Sequence, residues 1–217
     1  ILVDHCTDVS AADNVMITAP VTAADLVEAL YEILGERGAR PITTWQHGRA
    51  SRAYLRAMDV EDYRTKDHIL AAMEATDVVI QIMGQTNVAE LNDVDATARA
   101  ESSRVHQPIL DERLTKRWVI TAHPTPAAAQ QAEMSTAAYE AFVYRAMNRD
   151  WAAQREFQEQ LTERLRPAST VRVVAGGGTD LTMSVAGMDT LNDDGRKNLP
   201  GGEVATSPVV DSVEGTL

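Results

Sequence analysis

Cysteine is nearly absent from the chain: Cys6 is the only one. No disulfide can therefore form within it, which fits a reducing cytoplasm. Lysine is almost as scarce, since only Lys66, Lys116 and Lys197 of the 20 basic residues are lysines. No apolar run reaches the roughly eighteen residues of a membrane-spanning helix. No secretory leader pattern is visible either, in a chain that begins at Ile1 without a Met. Basic residues interleaved with aromatics, the pattern of single-stranded nucleic-acid grooves, are missing. The five histidines (His5, His47, His68, His106, His123) include no pair at the i, i+4 spacing of helical metal ligands, and none follows His123. Ser135, Ser184 and Cys6 have no partnered base at a recognisable spacing, which leaves a triad hydrolase without support.

What is present in excess is acid. Asp and Glu total 32 against 20 Lys and Arg, for a net charge of −12 and a pI near 4.8. Such a surface repels nucleic acid and anionic membranes, so neither is expected as a partner. Many acids with almost no lysine is the pattern of a protein adapted to a salt-rich cytoplasm, where salt screens the self-repulsion of the chain. The competing explanation is codon bias toward arginine in an ordinary acidic protein. A hydrophobic content of 44% over 217 residues suffices for one sizeable packed domain, or one domain and part of another.

Strand and helix patterns alternate along most of the chain. Val15–Pro20, Pro41–Trp45, Asp77–Gly84 and Arg117–Pro124 read as short strands, bounded by Pro, Asp or Gly. Between the first two, Thr22 and Asp25 form an N-terminal capping pattern, and Leu26, Ala29, Leu30, Ile33 and Leu34 share a helical face up to Gly38. Helical patterns also run through Arg49–Met58, through Ile69–Met73, and through residues 93–114, the last with an interruption expected near Pro108. Two more helices follow. One starts near Ser135 and directs Tyr139, Phe142, Val143 and Ala146 inward. The other is capped by Asp150 and buries Trp151, Phe157, Leu161 and Leu165. The expected fold class is α/β: a mainly parallel open sheet with helices on both faces. The texture then changes, because Val171–Val174 and Leu181–Val185 alternate with period two around Gly176–Asp180. A domain boundary is placed in residues 168–187, giving an N-terminal α/β domain over 1–187 and the β-rich start of a second domain over 188–217.

Two other stretches invite chemical readings. Gly176-Gly177-Gly178-Thr179-Asp180 has the glycines of a phosphate loop, yet it leads into a strand pattern and lacks the lysine, so a tight connection is expected. His123 ends a strand, where open α/β sheets often bind ligands, but its simpler role is to cap the backbone ahead of Pro124.

The most informative stretch is 192–215, rich in Gly, Pro, Asn and Asp, which cannot begin as a regular helix. Within it one acid, Glu203, follows Gly201-Gly202 and leads into Val204-Ala205-Thr206-Ser207, a short strand closed by Pro208. Glycine permits close backbone approach, and a Pro-bounded loop holds a carboxylate still, as a metal ligand must be held. The plainer reading of a Gly-Gly-Glu triplet is a solvated hairpin. Asn198-Leu199-Pro200-Gly201-Gly202-Glu203-Val204, with Thr206, Pro208 and Ser212-Val213-Glu214-Gly215, resembles the Asn-Leu-Pro-x-x-Glu-Val-Phe-Thr-x-Pro block of the thermophilic metallo-aminopeptidases (aminopeptidase T and aminopeptidase S type). Ala205 stands where that family usually has Phe. Weaker likeness extends over Arg117–Ala122, Tyr139–Arg145 and Gly178–Leu181.

The resemblance implies that Glu203 is a metal ligand. It also implies two divalent ions, zinc or cobalt, in the full-length protein, and a peptide substrate whose N-terminal residue is released by a metal-activated water. In that family a following catalytic domain supplies the remaining ligands, so residues 188–217 are expected to open that domain and the chain alone to be inactive. A homodimer in the cytoplasm is expected. The alternatives are a ring-cleaving non-haem iron dioxygenase of related fold, or a non-catalytic α/β assembly domain. Retention of the acid at Glu203 favours the peptidase.

Overall fold

The computed structural model describes residues 1–216. The first part of the chain forms β1 (Asn14–Pro20), α1 (Ala24–Glu36), β2 (Arg40–Gln46), α2 (Gly48–Ala57), α3 (Asp67–Glu74), β3 (Val78–Met83), α4 (Ala96–Leu114) and β4 (Arg117–Ala122). After these come α5 (Pro126–Gln131), α6 (Thr136–Met147), α7 (Trp151–Leu165), β5 (Thr170–Val174) and β6 (Asp180–Ser184). Four short strands close the order: β7 (Thr190–Asn192), β8 (Asn198–Leu199), β9 (Val204–Thr206) and β10 (Glu214–Thr216). Two compact units result, one of Ile1–Asn148 with Arg196–Pro200 and one of Arg149–Gly195 with Gly201–Leu217.

The first unit is built on a five-stranded sheet in the order β2-β1-β3-β4-β8, parallel at every pairing. The expected parallel sheet is therefore present. Strand residues of opposite parity point to opposite faces. Met16 and Val79 lie on one face with Met73 of α3, and Ile109 of α4 and Trp118 pack against them. Val15, Ile17, Val78, Ile80 and Val119 are also almost fully buried, so the other face is covered too. That near-continuous burial is why these strands read as unbroken apolar runs.

The fifth strand lacks such a run. β8 is two residues long and joins β4 through Ile120↔Asn198 and Thr121↔Leu199. The Ile120 amide donates to the Lys197 carbonyl at 2.8 Å, and Thr121 Oγ1 donates to the Leu199 carbonyl at 3.0 Å. The Asn-Leu start of the 198–204 block is thus a sheet-edge strand, with a cis Leu199–Pro200 bond after it.

Several local expectations need correction. Helix α1 follows a 3₁₀ turn at Val21–Ala23 and has no side-chain cap, so Thr22 does not cap it. Its buried stripe is Val27, Leu30 and Leu34, while Ile33 is exposed. Pro108 sits inside α4 without ending it, although proline removes one backbone donor there. The cap of α4 is Asp95, whose carboxylate accepts from the Thr97 and Ala98 amides. Helix α6 buries Val143 and Met147 and leaves Phe142 exposed. Asp150 caps α7 as expected, and α6 starts where expected, with Ser135 as its cap.

The second unit has little apolar core. It contains the three-stranded sheet β10-β6-β5, the pair β7-β9, and α7. β5 and β6 are antiparallel around the glycine connection, and Arg172 pairs with Asp180 across it at 2.7 Å. The glycines open a strand and no helix, which removes the phosphate-loop reading. The contacts divide the chain after Asn148, ahead of the texture change at residues 168–187, because the buried face of α7 packs on β7 and β9.

Candidate metal centre

Glu203 lies immediately before β9, where the backbone is fastened on several sides. β7 and β9 pair antiparallel, with Asn192 opposite Val204. Beyond that pair the Asp193 amide donates to the Glu203 carbonyl and the Gly202 amide donates to the Asp193 carbonyl, each at 2.9 Å. The glycines ahead of Glu203 meet two separate demands. A Cβ on Gly201 would stand 2.6 Å from Asp193 Oδ1, closer than any real side chain approaches. Gly202 takes φ +112°, a left-handed value that glycine adopts without strain.

Helix α7 supplies a second set of fastenings, and its buried face is polar. Trp151, Gln158 and Thr162 are the buried residues, whereas Phe157 is 70% exposed and Leu161 50%. Trp151 is buried as the apolar pattern predicts, whereas Phe157 and Leu161 are not. A buried polar side chain is tolerated where its hydrogen bonds are made. Gln158 makes them: Nε2 stands 2.9 Å from the Glu203 carbonyl, 3.1 Å from the Asp193 carbonyl and 2.9 Å from Asn192 Oδ1. Its Oε1 accepts from Gln154 Nε2 at 2.8 Å. Asn192 Nδ2 in turn donates to Glu159 at 2.9 Å. That bond is the largest of the influences that hold the Glu159 carboxyl below the usual range, followed by the guanidinium of Arg166. Arg155 pairs with the buried Asp194 at 2.7 Å.

The carboxylate of Glu203 is free by comparison. It is exposed, and among the described residues only its backbone carbonyl takes part in hydrogen bonds. An unpaired carboxylate on a fixed backbone has the chemistry of a hard ligand for a divalent ion. It stands without partners of its kind, since no group of three or more His, Cys, Asp or Glu able to hold a metal occurs among the described residues. Asp193 is the acid whose backbone bonds directly to Glu203. Its Oδ1 accepts from the Gly195 amide at 3.1 Å, while Oδ2 is buried without a partner.

The histidines lie elsewhere in the chain. His47 caps α2 by accepting from the Ala50 amide at 3.2 Å. His123 follows β4 and donates its amide to the Met83 carbonyl at 2.6 Å, while its Nδ1 is buried without a partner. Gly84, at the end of the neighbouring strand, is closely packed against it. A Cβ on Gly84 would come within 3.2 Å of Pro20 Cγ and the His123 carbonyl, and 3.3 Å of Thr125 Cγ2. Of the network around Glu203, sequence reasoning missed Gln158, whose only local signal is a polar residue at helical spacing from Trp151 and Thr162.

Comparison with known proteins agrees with this architecture. Wild-type AmpT from Thermus thermophilus superposes with a TM-score of 0.78 at 20% identity, covering 97% of this chain and 60% of that one. The likeness shows the fold, and the chain spans about 60% of the length of that relative. No curated protein matches. The model of the thermophilic metalloprotease (M29) family matches residues 1–217, the whole of the sequence, and the chain belongs to that family.

Proposed function

We propose that the chain is part of a metallo-aminopeptidase that releases N-terminal residues from peptides, and that Glu203 is one of its metal ligands. Family membership supports the metal-dependent protease reading. The observation that carries the residue assignment is a carboxylate left free on a backbone held by the Asp193 amide and by Gln158. When bound, two divalent ions, zinc or cobalt, would lower the pKa of a water and offset charge at the scissile carbonyl. The part of this chain is narrower. Glu203 contributes negative charge and one ligand atom, the glycines keep its approach clear, and α7 keeps its backbone from shifting. Residues 188–217 on this reading open the catalytic domain, and residues 1–217 alone hold a divalent ion only loosely, as one carboxylate does.

The test is Glu203→Gln in the complete protein, which keeps the shape of the side chain and removes its charge. Bound metal measured by elemental analysis and turnover of an aminoacyl-anilide are both expected to fall by orders of magnitude, with an unchanged circular dichroism spectrum. Full metal content and full activity in the variant would return Glu203 to the role of a solvated hairpin residue.

A further inference from the structure

Gln158 is the one side chain whose amide reaches the Glu203 carbonyl, the Asp193 carbonyl and Asn192 Oδ1 together. Its two N–H groups meet three acceptors, and its own oxygen is oriented by Gln154. Gln158 is 5% exposed, and removing the donors of a buried amide leaves its acceptors without partners. The three acceptors lie at the two ends of one connection: Asn192 closes β7 and Asp193 follows it, while Glu203 immediately precedes β9. The direct bonds between those ends are the Asp193 amide to the Glu203 carbonyl and the Gly202 amide to the Asp193 carbonyl. Gln158 bonds to the acceptor carbonyl of each, so the position of the Glu203 backbone relative to α7 depends on it.

From this geometry, and resting on the assignment of Glu203 as a metal ligand, we infer that Gln158 is a positioning residue for that ligand: it holds the Glu203 backbone so that the carboxylate meets a divalent cation in one orientation. A ligand displaced by even a fraction of an ångström loses affinity, because the residues behind a metal ligand set its orientation. The long side chain of Glu203 could otherwise reach a cation from several backbone positions, at a cost in ordering.

The experiment uses the complete protein with cobalt as the probe ion. Gln158→Glu is isosteric and turns the donor into an oxygen facing three acceptors. Gln158→Met keeps the length with no donor at all, and serves if the glutamate variant does not fold. Each is compared with wild type and with Glu203→Gln for cobalt affinity by titration, for the visible absorption of the bound cobalt, and for thermal melting without metal. The expected result is at least a tenfold loss of cobalt affinity in both Gln158 variants, a shifted cobalt absorption band, and a metal-free melting temperature that does not account for the loss. Wild-type affinity and band with only a lower melting temperature would overturn the inference and leave Gln158 a structural residue. The Glu203→Gln arm separates the two ideas. If it weakens cobalt binding while the Gln158 variants do not, only the inference fails; if it leaves cobalt binding intact, the ligand assignment fails and the inference with it.

Discussion

The two units are held together by different forces. In the parallel-sheet unit the interior is aliphatic, with Ile17, Ile80, Ile82 and Val78 all at zero exposure on adjacent strands. In the unit that carries Glu203 the buried apolar side chains are Trp151 and Val185, and beside them Gln158, Thr162, Asp193 and Asp194 are buried as polar groups. Burial of apolar surface is non-directional, so the first unit tolerates imprecise placement of its atoms. Hydrogen bonds from a buried amide act only at defined distances and angles, so the second places a short loop closely. A loop that must hold one carboxylate still is better served by the second kind of force.

The largest expected difference is in response to truncation. Ile80→Ala in the first unit is expected to cost about 2–5 kcal/mol, read from denaturant unfolding. Phe157→Ser, on the exposed side of α7, should stay within about 0.5 kcal/mol of wild type. Equal costs would mean that α7 buries its apolar face in solution, against the polar stripe described above.

Gly201→Ala should come next, at about 1–3 kcal/mol, because the added methyl meets Asp193 Oδ1 and the Gly195 amide. Its effect should be local. Amide exchange is expected to quicken at Asp193 and Gly202 and to stay unchanged in β1 and β3. Uniform quickening would show that the two units unfold as one.

Salt should act on both units through the net charge of −12. A melting temperature that rises by several degrees between low and molar potassium chloride is expected from screening of self-repulsion. No rise beyond that of an ordinary acidic protein would favour codon bias as the source of the arginine excess.

The smallest effect concerns acid. Asp93 is lowered to a pKa of about 2, below the usual carboxylate range, first by the side-chain bond from Arg52 and then, more weakly, by the charges of Arg52 and Arg56. A depressed carboxyl contributes stability that is present above the unfolded pKa and lost as pH falls through the folded one. The contribution of Asp93 should therefore fade between about pH 4 and pH 2. It should be slight, because the pair is open to solvent. Melting curves of Asp93→Asn should be flatter than wild type across that window, with no change in the second unit.

Much of the fold was legible because apolar burial leaves a periodic trace. β1, β3 and β4 stood out as runs bounded by Pro, Asp or Gly, and the caps at Ser135 and Asp150 follow from side-chain chemistry that acts within one turn. What escaped was whatever depended on partners far along the chain. β8 is two residues without a pattern, made a strand by β4. Hydrophobicity alone points Phe142, Phe157 and Leu161 inward, yet all three are exposed. Of the candidate site, Glu203 and its glycines were visible as a motif, whereas the network behind them was not.

The sequence by itself determined the α/β class, the run of parallel strands and the family block around Glu203, because each is written in local composition, spacing or motif. Only the tertiary structure decided which face of α7 is buried and that Gln158 holds the Glu203 backbone. The reason is that a glutamine 45 residues away carries no local sign of the carbonyl it will meet. Its burial becomes favourable only once the fold has brought three acceptors to one amide.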